Sequence, residues 1–309
     1  MGEADRNSTA IELTAVLVAV TDEEPRVLTI LDGRALPSGP LESEHRTLQG
    51  GLRTWVERQT HHSLGYLEQL YTFADRDRTL DSSKRVISIS YLGLTRETKS
   101  SGGDGPGWAS WYRFLPWEDW RDGAPAMLGG EILPRLRAWI DASPDAATRR
   151  ERAQRVEASF GAEERNWNEE LALQRYELLY EARLVPAAGR RQPIANPLPG
   201  EAMMHDHRRI LATGIGRLRA KIKYRPVVFE LMPPSFTLLQ LQRTVEALAG
   251  RRLHKQNFRR LIDQQGLVEE TGKMLAETGG RPAKLFRFRR EVLLERVVAA
   301  TQLPLSRSA

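Results

Sequence analysis

Short apolar segments, some of them alternating with polar positions, predict a sheet with few helices in the first 142 residues. The apolar run IELTAVLVAV (11–20) and the segment RVLTIL (26–31) flank the polar turn TDEEP, which indicates a β-hairpin. Further strands are predicted in LEQLYTF, in RVISISYLGL and in the aromatic segment WASWYRFLPW (108–117). Helical periodicity after Pro40 and over EILPRLRAWIDA (131–142) completes an α+β unit.

The middle of the chain is charged and has helical periodicity over residues 145–185. Its narrow apolar stripe consists of Trp167, Leu171, Leu178 and Leu179. Such a stripe fits either a helix pair packed on the first domain or a dimer contact, since periodicity alone does not separate them. The Pro- and Gly-rich segment that follows indicates a linker. We therefore predict an N-terminal domain, a charged helical insert with its linker and a C-terminal domain, at 1–142, 143–204 and 205–309.

The last third begins with a basic helix, DHRRILATGIGRLRAKIKY (206–224), and a predicted short strand, RPVVFELMP. The next helix has Ser235 or Thr237 as its N-cap and Gly250 as its stop. Its core positions are Leu238, Leu241, Val245 and Leu248. A second helix of similar length ends at Gly266, and a hairpin with a basic, Gly-rich tip follows. This order is typical of a winged helix-turn-helix.

The second of these helices carries a cationic and amide-rich face. Its inward positions are predicted to be Leu253, Phe258, Leu261 and Ile262. Lys and Arg bind phosphate or guanine, and Gln or Asn pairs with adenine, so the outer face predicts a major-groove reader. The candidate DNA contacts, including two on the wing, are Arg251, His254, Lys255, Gln256, Asn257, Arg259, Arg260, Arg281 and Lys284. The alternatives are a solvated charged face and a winged helix that binds protein.

The amino-acid composition limits the kinds of binding and catalytic sites that the chain can form. The 309 residues carry 46 Lys and Arg against 40 Asp and Glu, which gives a formal net charge of +6. This mild excess makes the position of the charge more informative than its size. The absence of cysteine excludes disulfides, thiolate zinc sites and a cysteine nucleophile. No signal peptide, membrane span or lipid anchor is indicated, so we expect a cytoplasmic protein.

The segment LPSGPLESEHRTLQGGLRTWVERQT (36–60) follows the spacing of a Nudix box, whose carboxylates hold divalent cations beside a pyrophosphate. Gly39, Arg53, Trp55 and Glu57 occupy matching positions. The carboxylates and the last glycine are replaced at His45, Thr54, Arg58 and Thr60. Arg58 places a positive charge where a cation would bind. We therefore predict no catalytic residues and no metal site, with an active Nudix hydrolase as the alternative.

These parts together resemble a known family, the Nudix-related transcriptional regulators of NAD metabolism. The resemblance rests on YLEQLYTFADRDR, RVISISYLGL, DHRRIL and the stretch from RPVVFELMPPSFTLLQLQRTVEALAG to GGRPAKLFRF, within residues 13–120 and 205–290. It implies a degenerate Nudix-like α/β/α sandwich joined to a winged helix. It also implies a homodimer on a double-stranded DNA operator, controlled by NAD, ATP or ADP-ribose with no required cofactor. The insert resembles that of longer bacterial repressors of de novo NAD synthesis.

Under this resemblance the N-terminal domain holds an adenine nucleotide without hydrolysing it. Trp55 or Tyr71 would stack on adenine, although both also fit a core position. Arginines near the cleft would meet the phosphates, and the basic helix 206–223 would transmit the signal to the winged helix. The effector-binding candidates are Arg34, Arg53, Trp55, Glu57, Tyr71, Arg76, Arg78 and Arg85.

Overall fold

The structure, a computed structural model of the chain, describes residues 9–62, 64–75, 85–97, 106–161, 167–189, 192–275, 282–289 and 291. The strands are β1 (Thr9–Thr21), β2 (Glu24–Thr29), β3 (Ser38–Pro40), β4 (Tyr66–Phe73), β5 (Arg85–Leu94), β6 (Gly107–Ser110), β7 (Val268–Leu275) and β8 (Ala283–Phe288). The α-helices are α1 (Leu48–Thr60), α2 (Leu133–Asp141), α3 (Ala146–Phe160), α4 (Ala172–Glu181), α5 (His207–Tyr224), α6 (Leu238–Ala249) and α7 (Lys255–Gln265).

The N-terminal sheet is six-stranded, with the order β4-β5-β1-β2-β6 and with β3 paired to β1. The β1–β2 hairpin is antiparallel as predicted, whereas β1 and β5 run parallel. Side chains alternate along β1, so Leu13 and Leu17 pack with α1 on one face while Val16 and Val18 pack with α5 on the other. The predicted α/β/α sandwich is confirmed.

Helix α5, which the sequence predicts as the leading helix of the C-terminal domain, lies across the N-terminal sheet. Gly214 permits this approach, because a Cβ there would lie 2.9 Å from Cγ1 of Val16. Although the helix is basic, its Arg208 and Arg219 are buried. The predicted boundaries at 142 and 204 remain predictions, but the second helical layer of the sandwich comes from beyond both of them.

The charged insert packs within the chain. Trp167 stacks on Trp120 with ring centroids 4.2 Å apart, and Leu178 and Leu179 of α4 are buried. Helix α4 contacts α5, so the apolar stripe predicted at 145–185 is covered by the chain itself. This arrangement favours the packing interpretation of the stripe over the dimer contact.

Two predicted strands take another form. The segment WASWYRFLPW is extended only within β6, and it continues in 3-10 turns at Trp111–Arg113 and Pro116–Glu118. Trp111 and Trp117 are fully buried there, and Pro116 lacks the N–H that a strand would use. The segment RPVVFELMP forms a 3-10 turn at Val227–Glu230 rather than a strand, between Pro226 and the following prolines.

The C-terminal unit has the predicted order of a winged helix-turn-helix. Thr237 caps α6 through a capping box with Gln240, and Gly250 ends the helix at φ 72°. Helix α7 ends at Gly266, and β7 pairs antiparallel with β8. None of the helices in the described part of the chain combines the length and the hydropathy that a membrane span requires.

Candidate nucleic-acid interface and nucleotide cleft

Helix α7 presents an uncovered cationic face. Phe258 and Ile262 are buried against α6, whereas Lys255, Arg259 and Arg260 are exposed. None of these three cations has a hydrogen bond or ion pair with another described residue, so their charges are free for an anionic partner. An unpaired cationic helix face next to a β-hairpin fits the phosphates of a nucleic acid.

The polar neighbours of these cations are exposed too. Gln256 and Asn257 lie on the first turn of α7, and His254 stands at its N-cap without a capping side-chain hydrogen bond. The prediction that Leu261 points inward is wrong: this side chain is 51% exposed. It lies three residues after Phe258, at the edge of the face that Phe258 and Ile262 bury, where solvent still reaches it.

Arg251 lies apart from this face, in the turn between α6 and α7. Its guanidinium is 3.8 Å from the carboxylate of Glu169 in the insert, and its backbone forms a bridge with Trp120. The candidate DNA contact at Arg251 is therefore placed at the junction with the N-terminal half. Its role in DNA binding stays a prediction.

The wing is anchored to the helices at its base. Phe236, just before α6, exchanges backbone hydrogen bonds with Phe286 of β8, and Phe229 stacks on Phe288 at 4.2 Å. Lys284 is exposed but pairs with Glu270 across the hairpin at 2.7 Å, so it is less available than the α7 cations. The other predicted wing contact, Arg281, lies outside the described residues.

In the N-terminal domain, β3 and α1 form the loop–helix that the Nudix-box spacing predicts. Thr47 caps α1, and Trp55 packs its ring over Gly39, where a Cβ would come within 2.7 Å of Cγ of the indole. The indole Nε1 donates to the carbonyl of Pro40 at 2.8 Å. Gly39 and Trp55 are therefore matched to each other, and the indole is partly buried in its own loop.

The positions that lack box carboxylates hold the loop in place. His45 lies edge-on to Trp55, with ring centroids 6.5 Å apart, and its Nδ1 accepts from the backbone N–H of Glu42. The guanidinium of Arg58 lies over the Trp55 ring, 4.8 Å from its centroid. In the described part of the chain, no group of three or more His, Asp or Glu side chains is placed to hold a metal ion.

Arg53 is engaged by the chain. Its guanidinium donates to the backbone carbonyls of Leu64 and Gly65, which tie α1 to the start of β4. Glu57, two positions beyond Trp55, is exposed. The box arginine thus keeps a bracing role, but it braces backbone carbonyls rather than a cluster of carboxylates.

The structure does not bring the two candidate stacking residues together. Tyr71 is cross-strand partner to Ser90 and leans on Phe73, so it lies on the α5 side of the sheet. Trp55 belongs to α1, on the opposite side. A β-bulge between Gln69 and Tyr71 sets this orientation, and no pattern in the sequence indicates it.

The remaining effector candidates are spread around the sheet. Arg34 is exposed and donates from Nε to the carbonyl of Leu31 at 3.1 Å. Arg85 begins β5, with one Nη 3.5 Å from the carbonyl of Ala74. Arg76 and Arg78 lie outside the described residues. Their roles, and those of Arg53, Trp55, Glu57 and Tyr71, stay predictions.

A buried charge cluster that the sequence did not indicate joins the two halves. Glu118 lies between Arg175 of α4 and Arg219 of α5, and all three side chains are 0% exposed. Arg175 binds both carboxylate oxygens, at 2.7 and 2.8 Å, and Arg219 binds one at 2.5 Å. Burial opposes ionisation of Glu118, but the two guanidinium groups outweigh it and lower its pKa.

The same cluster reaches the turn of the helix-turn-helix. Arg219 donates to the carbonyl of Leu248 at 2.9 Å, and Trp120 donates its backbone N–H to the carbonyl of Gly250 at 2.7 Å. Tyr112 donates its hydroxyl to the carbonyl of Ala247 at 2.8 Å. The end of α6 is therefore held by Trp120 and Tyr112 of the N-terminal half and by Arg219 of α5.

Comparisons with known proteins agree with both halves of the molecule. Residues 228–288 match the NrtR DNA-binding winged helix domain. The ADPR responsive transcriptional repressor NtrR of Acinetobacter baylyi is 42% identical over 83 residues, which are 27% of this chain and 33% of that protein. The chain thus matches about a third of the length of this curated relative.

Solved structures share the whole arrangement. NrtR of Shewanella oneidensis, complexed with a 27mer DNA, superposes with a TM-score of 0.55 at 18% identity, over 91% of this chain and 94% of that one. A MutT/nudix family protein from Enterococcus faecalis gives 0.54 at 15% identity, over 94% and 90% of the two chains. At these identities the likeness shows the fold. Together the comparisons confirm the resemblance to the Nudix-related transcriptional regulators, with a Nudix-like domain followed by a winged helix like that of NrtR.

Proposed function

We propose that the protein is a DNA-binding transcriptional repressor of NAD biosynthesis genes. The observation that supports this most directly is the exposed cationic face of α7, where Lys255, Arg259 and Arg260 form no ion pair with any described residue. The match of residues 228–288 to a DNA-binding winged helix domain agrees with it. Two copies would bind the two halves of an operator, as winged-helix dimers do.

The Nudix-like domain is proposed to bind the controlling nucleotide. A relative named for its response to ADP-ribose supports ADP-ribose as the effector, and NAD and ATP share its adenosine and phosphates. Binding would change DNA affinity only if the nucleotide prefers one of two arrangements of the winged helices. Because the chain carries the helical insert, we also propose that it is one of the longer repressors of de novo NAD synthesis.

Replacing Arg259 by alanine should weaken operator binding by about 1–3 kcal/mol, roughly 5- to 150-fold, if the side chain reads a base. Fluorescence anisotropy with DNA from upstream of NAD-synthesis genes measures the effect. The matched control is Arg150→Ala, which removes an exposed cation from α3, away from the winged helix. Equal losses in the two variants, or no binding by the folded wild type, would contradict the proposal.

ADP-ribose is expected to bind without being hydrolysed, because Glu57 alone remains of the box carboxylates. Calorimetric titration with ADP-ribose, NAD and ATP, each with and without DNA, identifies the effector and the sign of its action. Release of AMP in the presence of magnesium measures turnover. Turnover that Glu57→Gln abolishes would instead establish a hydrolase.

A further inference from the structure

A cavity of about 330 Å³ lies under the inner face of α7, between this helix, α6 and the C-terminal end of α5. It is separate from the Nudix-like loop–helix, and the DNA-facing cations of α7 do not line it. Its volume lies at the lower end of the range of small-molecule sites. The cavity therefore has room for an organic molecule of modest size.

The interior of the cavity is apolar. Val228, Phe229, Val245 and Phe258 line it, and Leu261, which α7 exposes to solvent, lies at its edge. Tyr224 adds an aromatic ring that is 75% exposed. Uncovered apolar side chains around a concave apolar surface indicate a binding surface rather than a packing defect.

The rim is cationic. Lys223, Arg225 and Arg251 line the cavity, and the carboxylate on it belongs to Glu169. Lys223 holds Glu169 at 2.8 Å, and Arg251 is 3.8 Å from the same carboxylate. Arg225 is exposed and forms no ion pair with a described residue. An occupant with an anionic group at the rim would therefore find an uncompensated positive charge.

We propose that this cavity binds an amphipathic organic anion, with its apolar body against Phe229, Val245 and Phe258 and its acidic group at Arg225 and Arg251. The occupant would touch Phe258 and Leu261 on the inner side of α7. Since the outer side of the same helix carries the proposed DNA contacts, binding changes DNA affinity. This second statement rests on the proposed function, whereas the site itself does not.

The full-length protein can be titrated with 1-anilinonaphthalene-8-sulfonate, an aromatic anion whose fluorescence rises in apolar surroundings. Val245→Phe fills the cavity and is expected to weaken binding of the dye by about tenfold or more. The matched control is Leu239→Phe, which adds the same ring to an exposed position of the same helix and should leave binding unchanged.

A second pair tests the charge. Arg225→Ala should weaken dye binding by about two- to fivefold, as expected for an exposed ion pair, whereas Arg217→Ala on the preceding part of α5 should not. This pair decides the question if Val245→Phe fails to fold. Equal dye binding by wild type, Val245→Phe and Arg225→Ala would overturn the site. A dye stoichiometry that falls as protein concentration rises would overturn it too, because a second copy would then cover the cavity.

The coupling is measured by repeating the DNA titration with saturating dye. A several-fold change in operator affinity that is absent in Val245→Phe is expected. If the dye does not change the operator affinity of the wild type, the proposed coupling is wrong, although the binding site itself is not contradicted. A wild type that binds dye but no DNA would overturn the proposed function without touching the site.

Discussion

Replacing Glu118 by glutamine should lower the free energy of unfolding by about 3–5 kcal/mol, the usual cost of removing one partner of a buried ion pair. The substitution keeps the size of the side chain but leaves the buried charges of Arg175 and Arg219 without a carboxylate. Neither guanidinium can lose its proton at ordinary pH to escape this cost. Chemical denaturation followed by circular dichroism measures the difference.

Glu201→Gln is the matched control, because Glu201 forms a similar bidentate pair with Arg113, at 2.7 and 2.8 Å, but about half exposed. Water screens that pair, so the expected loss is below about 1 kcal/mol. Comparable losses in both variants would mean that the buried cluster is not an energetic centre of the fold.

The contribution of Glu118 to the free energy of unfolding depends on pH. Its pKa in the folded chain lies below the ordinary value of 4.5, so the unfolded chain takes up the proton first as pH falls. The stability that Glu118 contributes is fully present above pH 4.5 and is lost as pH falls below it. Glu118→Gln should lack this component and show a flatter acid limb in a plot of stability against pH.

Gly250→Ala should be nearly as damaging, at about 2–5 kcal/mol. Gly250 has a φ of 72°, which an L-residue adopts only with strain. An added Cβ would also lie 2.5 Å from the carbonyl oxygen of Glu118 and 2.6 Å from Nη2 of Arg219. Because that carbonyl is backbone, the turn between α6 and α7 would have to move away from the N-terminal half.

Gly266→Ala is the control that separates the cost of backbone strain from the cost of the Cβ collision. Gly266 ends α7 at φ 57°, but the atom nearest to a Cβ added there would be Nη1 of Arg289, at a distance of 3.6 Å. The control therefore carries the backbone strain, about 1–2 kcal/mol, without the collision. Urea denaturation of the two variants, followed by operator titration of whichever folds, measures both stability and the position of α7. Equal destabilisation would show that contact with Glu118 is unimportant.

The elements that the sequence predicted well are those whose signals are local. Thr237 and Gln240 form a capping box within one helical turn, and Gly250 and Gly266 end their helices at positive φ. The apolar segments on either side of the polar turn TDEEP likewise predicted the pairing of β1 with β2, only two residues away. In each case the structure of the element is determined by residues that are close together in the sequence.

The features that it did not predict depend on distant partners. Glu118 meets Arg175 and Arg219, which lie 57 and 101 residues away, and charge runs give no hint of such pairs. The bulge before Tyr71 reverses the side of the sheet on which that ring lies. Nudix-box spacing located the loop–helix, but only the fold shows that Trp55 and Arg53 are engaged by their own neighbours.

The position of α5 has a consequence for the order in which the protein can fold during synthesis. Strand β1 can form its parallel pairing only after β5 has been synthesised. The face of the sheet that bears Val16 and Val18 can be covered only after α5 has been synthesised. A ribosome must therefore produce most of the chain before the first sheet is covered on both sides. A fragment ending at residue 142 would leave that apolar face exposed to water, so we expect that a cut at the predicted domain boundary would not release a stable N-terminal domain.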